Sequence, residues 1–317
     1  MKGIYSQPGR DPNRLGNGKL FIYLIVLLGV VSVIYQFIRE YNSGSDQLLH
    51  RDRLRIESIP SSKDAYEHAG DSMMVDLPSM TKDHEYVHHH YFDLSYSEKH
   101  EEAEWVAYVI TRDRLNGPKQ HRYDYFDVDP NIPGGSAQHH DYSGSGYTRG
   151  HLAAAADMAF DPIAEQECFY MSNMTPQVKQ FNDGIWRELE EDVRDWGRRF
   201  KKVYIVTGPV LTTGIIGRIG KTSKVSVPSL YYKVILDADQ PELKGIGFII
   251  PNALSDLPLG NFMVSIDSIE HLTGIDFFNG KSKNSIIEEL ESRVDPLLWP
   301  INEQRFMKRV NEWNKKE

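Results

Sequence analysis

The chain has 317 residues, 40% of them hydrophobic and 26% charged, with a formal net charge of −9. This globular balance excludes a chain disordered throughout, a collagen-like repeat and a multispan membrane protein. A single cysteine, Cys168, excludes an intrachain disulfide framework and a zinc site built from several cysteines. Its setting in Cys168-Phe169-Tyr170-Met171 predicts a buried, inert thiol.

Residues 1–19 read as a cytoplasmic segment, with Lys2, Arg10, Arg14 and Lys19 against the one acid Asp11. Residues 20–38 follow without a formal charge and are mostly Leu, Ile and Val, close to the roughly 20 apolar residues that cross a bilayer. The positive-inside rule predicts a single transmembrane signal anchor in the lipid bilayer, with everything after Arg39 on the non-cytoplasmic side. A cleaved signal peptide is the alternative. The apolar run exceeds a typical signal core, however, and no A-x-A-like site follows it. Residues 1–39 hold five bases and one acid, so the rest of the chain carries −13. A domain this acidic needs a cation and clustered arginines to handle phosphates.

Residues 39–84 are polar, with mixed charges and turn formers at Pro60-Ser61-Ser62, and read as a linker or stalk. Residues 85–317 read as one folded domain. Residues 105–110 predict a buried strand, 131–146 a loop and 169–172 a short strand. Ile185, Leu189, Val193 and Trp196 predict a helix over residues 182–199. Strands follow at 203–206, 231–236 and 246–250, and a charged amphipathic helix at 285–294 stops before Pro296. Strands and helices without regular βαβ alternation point to an α+β fold.

The densest chemistry lies in Tyr147-Thr148-Arg149-Gly150-His151-Leu152-Ala153-Ala154-Ala155-Ala156-Asp157-Met158. Phe169-Tyr170-Met171-Ser172-Asn173-Met174-Thr175-Pro176-Gln177 and Phe181-Asn182-Asp183-Gly184-Ile185-Trp186 come after it. These three elements, in this order and spacing, resemble the DNA/RNA non-specific endonucleases of the ββα-metal class, the endonuclease G-like family. The resemblance runs from about Tyr91 to Asn279 and includes Trp105-Val106-Ala107-Tyr108, Val206-Thr207-Gly208-Pro209, Pro228-Ser229-Leu230-Tyr231-Tyr232-Lys233-Val234 and Leu272-Thr273-Gly274. It implies a central antiparallel sheet flanked by helices.

Hydrolysis of a phosphodiester needs a water deprotonated, the charge on phosphate neutralised and the leaving oxygen stabilised. A neutral imidazole suits the first task and a divalent cation the other two. By the resemblance, His151 is the general base and Asn182 the one protein ligand of Mg2+, with Mn2+ as a substitute. One amide ligand would leave most of the ion's shell to water and phosphate. Read alone, Asn182 also suits a helix N-cap. Glu190 and Arg194, four apart, share a helix face and read alone as a surface ion pair. The resemblance makes them a metal-water-orienting glutamate and a phosphate-stabilising arginine. Glu188 and Glu191 read as solvated surface. Arg149 and Arg122 match further arginines near the scissile phosphate, whose forks engage phosphate oxygens bidentately. Thr148 stands where the family usually carries aspartate. A hydroxyl hydrogen-bonds without supplying negative charge, so metal affinity, pH dependence or rate is expected to differ.

His84, His88, His89, His90, His139 and His140 lack a recognised metal-ligand spacing, so no transition-metal site is expected there. No base-reading module is visible. The expected protein is therefore a membrane-anchored, metal-dependent endonuclease acting on DNA and RNA, with a homodimer as the family's common state. A noncatalytic nucleic-acid receptor on the same fold is the alternative. The topology fits a bacterial inner membrane with the domain in the periplasm, or a mitochondrial inner membrane.

Overall fold

The computed structural model describes residues 77–238, 243–278 and 285–315. The expected membrane span, residues 20–38, and most of the linker lie outside the described residues. In chain order the first elements are β1 (Glu85–His88), β2 (Phe92–Ser97), β3 (Glu102–Thr111), α1 (Arg112–Asn116), β4 (Thr148–His151), α2 (Ala155–Met158) and α3 (Pro162–Glu167). Next are β5 (Met174–Gln177), α4 (Arg187–Phe200), β6 (Lys202–Pro209), β7 (Ile215–Ile219), β8 (Val225–Pro228), β9 (Leu230–Asp237) and β10 (Lys244–Pro251). The series ends with β11 (Met263–Val264), α5 (Ile266–Thr273), α6 (Ser285–Ser292) and α7 (Glu303–Asn311).

Seven strands form one antiparallel sheet in the order β1-β2-β3-β6-β9-β10-β11. Side chains alternate between the faces of a strand, and here both faces are buried. Val106, Ile205 and Ile235 join one core, and their neighbours Trp105, Val206 and Val234 join the other. Leu189, Val193 and Trp196 of α4 close the first core, while Ile266 and Ile269 of α5 close the second. This explains why the central strands read as near-continuous apolar runs. The first core also takes in Leu152, Phe169 and Phe181, which flank the two-stranded sheet β4-β5. Cys168 is buried there, as its apolar context predicts.

The chain is bonded to this body before β1 begins. Trp105 donates its indole N–H to the Ser79 carbonyl at 3.0 Å, and Thr81 donates N–H and O–H to Glu104 at 3.0 and 2.6 Å.

Three local expectations change. Residues 169–172 are not a strand: Met171–Asn173 forms a tight turn and pairing begins at Met174. Asn173 pins that turn by accepting from the Ala153 N–H at 2.8 Å and donating to the Ala153 and Cys168 carbonyls at 3.0 and 2.7 Å. The helix expected from 182 starts as one wide π-type turn, Phe181–Trp186, broken at Gly184 (φ −104°, ψ −110°), and is regular only from Arg187. Asn182 is thus inside the wide turn and is not a helix N-cap. Glu188 is not solvated surface: it is fully buried and ion-paired with the equally buried Arg309 of α7. Glu191 is half-buried and pairs with Arg187 and Arg305 at 2.9 and 3.0 Å. The helix carries acids on both of its faces, and α7 covers one of them.

Candidate active site

β4 and β5 pair Thr148 with Gln177, Arg149 with Pro176, Gly150 with Thr175 and His151 with Met174. Gly150 is required here because a Cβ at that position would lie 2.0 Å from the Gln177 side chain. Arg149 and His151 alternate with it and so share a strand face. Phe126 and Phe169 form the floor beneath them, with ring centroids 5.2 Å apart. The His151 ring meets Phe169 edge-on at 4.8 Å and Phe126 at 6.0 Å. The Arg149 guanidinium sits 4.6 Å over Phe126, and that of Arg122 5.0 Å over Phe169. Three of the expected site residues therefore converge on one aromatic floor. Arg122 is the exposed one, with Asp124 at 2.5 Å from its Nε.

The wide turn brings Asn182 back to the same strand. Asn182 Nδ2 donates to Thr148 Oγ1 at 3.1 Å, and Thr148 Oγ1 donates to the Gln177 carbonyl at 3.0 Å. The single hydroxyl proton is committed to an oxygen that only accepts, so Thr148 can offer Asn182 only a lone pair. Asn182 must then present its NH2 group, which leaves its carbonyl oxygen turned away and open to a cation. Thr148, the departure from the family pattern, thus sets the amide's orientation. Thr148→Val keeps the shape and deletes both bonds. On the proposal made below that Asn182 holds the cation, this variant should raise the Mg2+ concentration for half-maximal cleavage by about 10-fold, the scale of a lost partner behind a metal ligand, while Thr148→Ser should leave it near the wild-type value in a metal titration.

Glu190 and Arg194 do not form the expected i,i+4 pair. Arg194 Nη1 donates instead to Asp157 at 2.9 Å, and Tyr108 donates its hydroxyl to the other Asp157 oxygen at 3.0 Å. Lys233 of β9 is completely buried, with its Nζ 4.7 Å from the Trp186 ring centroid. Burial pushes the Glu190 carboxyl up and the Lys233 ammonium down, and each partly restores the other's charge. Asp157 and Lys233 were given no role from sequence. The available signal was a lysine inside Tyr231-Tyr232-Lys233-Val234, since a charge in a buried apolar strand marks a function or a partner. Among the described residues no hydrogen bond or ion pair joins this group to His151.

Five buried nitrogens of these clusters have no hydrogen-bond partner: Arg149 Nε, His151 Nε2, Gln177 Nε2, Trp186 Nε1 and Lys233 Nζ. Burial, reinforced by the Arg122 charge, holds His151 down at about 3, so its imidazole is neutral across the physiological range. Burial also pulls Arg149 below its ordinary value. Four of the other histidines each meet an acid, and His89 Nδ1 also lies 4.0 Å from the Glu167 that His90 binds. His84 meets Glu104 at 3.0 Å, His88 meets Asp93 at 2.7 Å, His89 meets Asp129 at 3.0 Å and His90 meets Glu167 at 2.6 Å.

The model of the family described as DNA/RNA non-specific endonuclease matches residues 69–284. The chain belongs to that family. Its relatives include mouse "Nuclease EXOG, mitochondrial", 31% identical over 284 residues that cover 85% of this chain and 74% of the relative. Human "Endonuclease G, mitochondrial" is 36% identical over 197 residues, which cover 58% of this chain and 66% of the relative. Among solved structures, one described as the crystal structure of the EndoG/EndoGI complex superposes with a TM-score of 0.58 at 31% identity. It covers 62% of this chain and 87% of that one. Membership makes the chain a non-specific endonuclease, a hydrolase, and its α+β architecture with a central antiparallel sheet is the family's.

Proposed function

We propose that the chain is a divalent-metal-dependent endonuclease that cuts the backbone of DNA and RNA without reading base sequence. The observation that carries this reading is the buried, unpartnered Nε of Arg149, on the same aromatic floor as Arg122 and a neutral His151 and on the strand whose Thr148 leaves the Asn182 amide oxygen open. Such donors are costly unless an anion completes them, and a phosphodiester is the anion that the family acts on. When bound at Asn182, Mg2+ or Mn2+ would neutralise charge on the phosphate and the leaving oxygen.

The protein's own steps follow from the site. His151, neutral at working pH, takes the proton of the attacking water as general base. Only its Nδ1 is left for that task, because Nε2 is sealed from solvent. Arg149 and Arg122 hold the non-bridging phosphate oxygens, their planes steadied on Phe126 and Phe169. Arg194, fixed by Asp157, adds positive charge, and Glu190 orients water around the cation. Contacts confined to phosphate and sugar position a nucleic acid but carry no sequence information.

The mitochondrial names of the mouse and human relatives favour a mitochondrial inner membrane over a bacterial one. Residues 20–38 would anchor the chain there, with the domain facing the intermembrane space, and a homodimer is the expected assembly. The test uses full-length protein, supercoiled plasmid and a structured RNA. Nicking of both should require Mg2+, stop with EDTA and resume with excess Mg2+. Asn182→Ala should need far more Mg2+ for the same rate. A gel shift without nicking at any Mg2+ concentration would replace the enzyme with a nucleic-acid receptor.

A further inference from the structure

A second group of acids lies on the opposite face of the sheet from α4. Gly245 of β10 lets two helices approach closely: a Cβ there would lie 2.7 Å from Ile266 Cδ1 of α5 and 3.7 Å from the Leu290 carbonyl of α6. The next residues along each helix, Asp267 and Glu291, are thereby brought together, and Glu270 lies one turn further on α5. One carboxylate oxygen from each of Asp267, Glu270 and Glu291 lies within 4.8 Å of the other two. Glu291 is only 6% exposed, and its Oε1 is buried without a hydrogen-bond partner. Among the described residues no lysine or arginine forms an ion pair with any of the three. Among the described residues the one hydrogen bond to these carboxylates comes from the Phe277 N–H, which donates to Glu270 Oε1 at 2.8 Å.

An unpaired buried carboxylate facing two more is unfavourable by like-charge repulsion and by desolvation. A hard divalent cation removes both penalties at once. Ca2+ takes six to eight oxygens at about 2.3–2.6 Å, so two oxygens sharing it lie no more than about 5 Å apart. The observed grouping meets that limit. Mg2+ demands a tighter octahedron and keeps more of its water.

We propose that Asp267, Glu270 and Glu291 form a structural Ca2+ site that ties α6 to α5 and the sheet edge, separate from the cation at Asn182. The site does not depend on the catalytic reading. The test is thermal unfolding of the full chain, first stripped with EGTA and then titrated with CaCl2. Wild-type protein should bind one Ca2+ more than the Glu270→Gln/Glu291→Gln variant in equilibrium dialysis. Its Tm should rise saturably, by about 5 °C or more at 100-fold excess over the Kd. Asn182→Ala should keep that rise, and Glu270→Gln/Glu291→Gln should lose it. The latter should also have a higher Tm than wild type in EGTA, which shows that it folds. An unchanged wild-type Tm would overturn the proposal. So would a rise that survives in Glu270→Gln/Glu291→Gln or disappears in Asn182→Ala.

Discussion

His151→Ala should lower the rate of plasmid cleavage by about 10²–10⁴-fold, the usual contribution of a general base, while nucleic-acid binding and folding persist. The ring is supported by Phe126 and Phe169 and makes no hydrogen bond in the described structure, so its removal breaks no polar network. The pH dependence carries a second signature. A histidine held at about 3 in the folded chain, against roughly 6.5 unfolded, is charged in the unfolded state first as pH falls. Its contribution to stability is present above about 6.5 and is lost between about 6.5 and 3. His151→Ala should therefore unfold less steeply with acid than wild type across that window. The acidic limb of the activity profile should lie well above 3, because Glu190, raised by burial, loses its charge before His151 gains one. A fall of less than tenfold in cleavage, at saturating Mg2+, would remove His151 from the general-base role.

What could be read in advance follows from where each signal is stored. Residues 203–206, 231–236 and 246–250 lie inside β6, β9 and β10 because apolar, β-branched runs report burial on both faces. Ile185 to Trp196 reported α4 through helical spacing, although not the wide turn at its start. That turn depends on Gly184, where a Cβ would lie 2.8 Å from Asn314 Oδ1, a contact made 130 residues away in sequence. β4 and β5 were illegible as strands because each has four residues and one holds Gly150, the other Pro176. Their pairing is supported by the Asn173 side chain and by the Thr148 hydroxyl bonded to the Gln177 carbonyl rather than by an apolar pattern. His151, Arg149 and Asn182 are candidates by their motif alone, whereas the grouping of Asp157 and Lys233 with Glu190 and Arg194 is visible only in the fold. The helix acids show the same limit. Glu188 and Glu190 are indistinguishable in a charged run, and only the packing of α7 separates a structural acid from one beside the proposed site.

Glu188→Ala should destabilise the protein by about 3–5 kcal/mol, the cost of leaving one member of a buried ion pair uncompensated. Arg309 is fully buried, donates Nε to Glu188, and spends its remaining donors on the Ser255 carbonyl and, at 2.7 Å, on the Leu257 carbonyl. Removing Glu188 leaves the guanidinium charged, because its deprotonation is out of reach. Arg309→Leu alone should cost a similar amount, since it strands the Glu188 carboxylate. The double variant Glu188→Leu/Arg309→Leu should recover much of the loss, because two apolar side chains of similar volume replace a desolvated pair. Glu303→Ala, at an exposed position of α7, is the control and should shift stability by under about 0.5 kcal/mol. Chemical denaturation of wild type, Glu188→Leu, Arg309→Leu and the double variant closes the cycle and gives the coupling. The consequence reaches the proposed metal ligand. Arg305 binds Glu191 at 3.0 Å and Asp195 at 2.7 Å, Arg187 stacks 4.2 Å over the Trp313 ring, and Asn314 Oδ1 fills the space that a Cβ on Gly184 would need. Residues 303–315 thus brace both α4 and the wide turn that carries Asn182, although they lie beyond the segment matched by the family. Glu188→Ala should accordingly lose cleavage on warming before its far-ultraviolet helix signal falls, as the turn loosens ahead of the sheet. Loss of activity and of helix signal at one temperature would mean that α7 supports the fold as a whole and not the turn in particular.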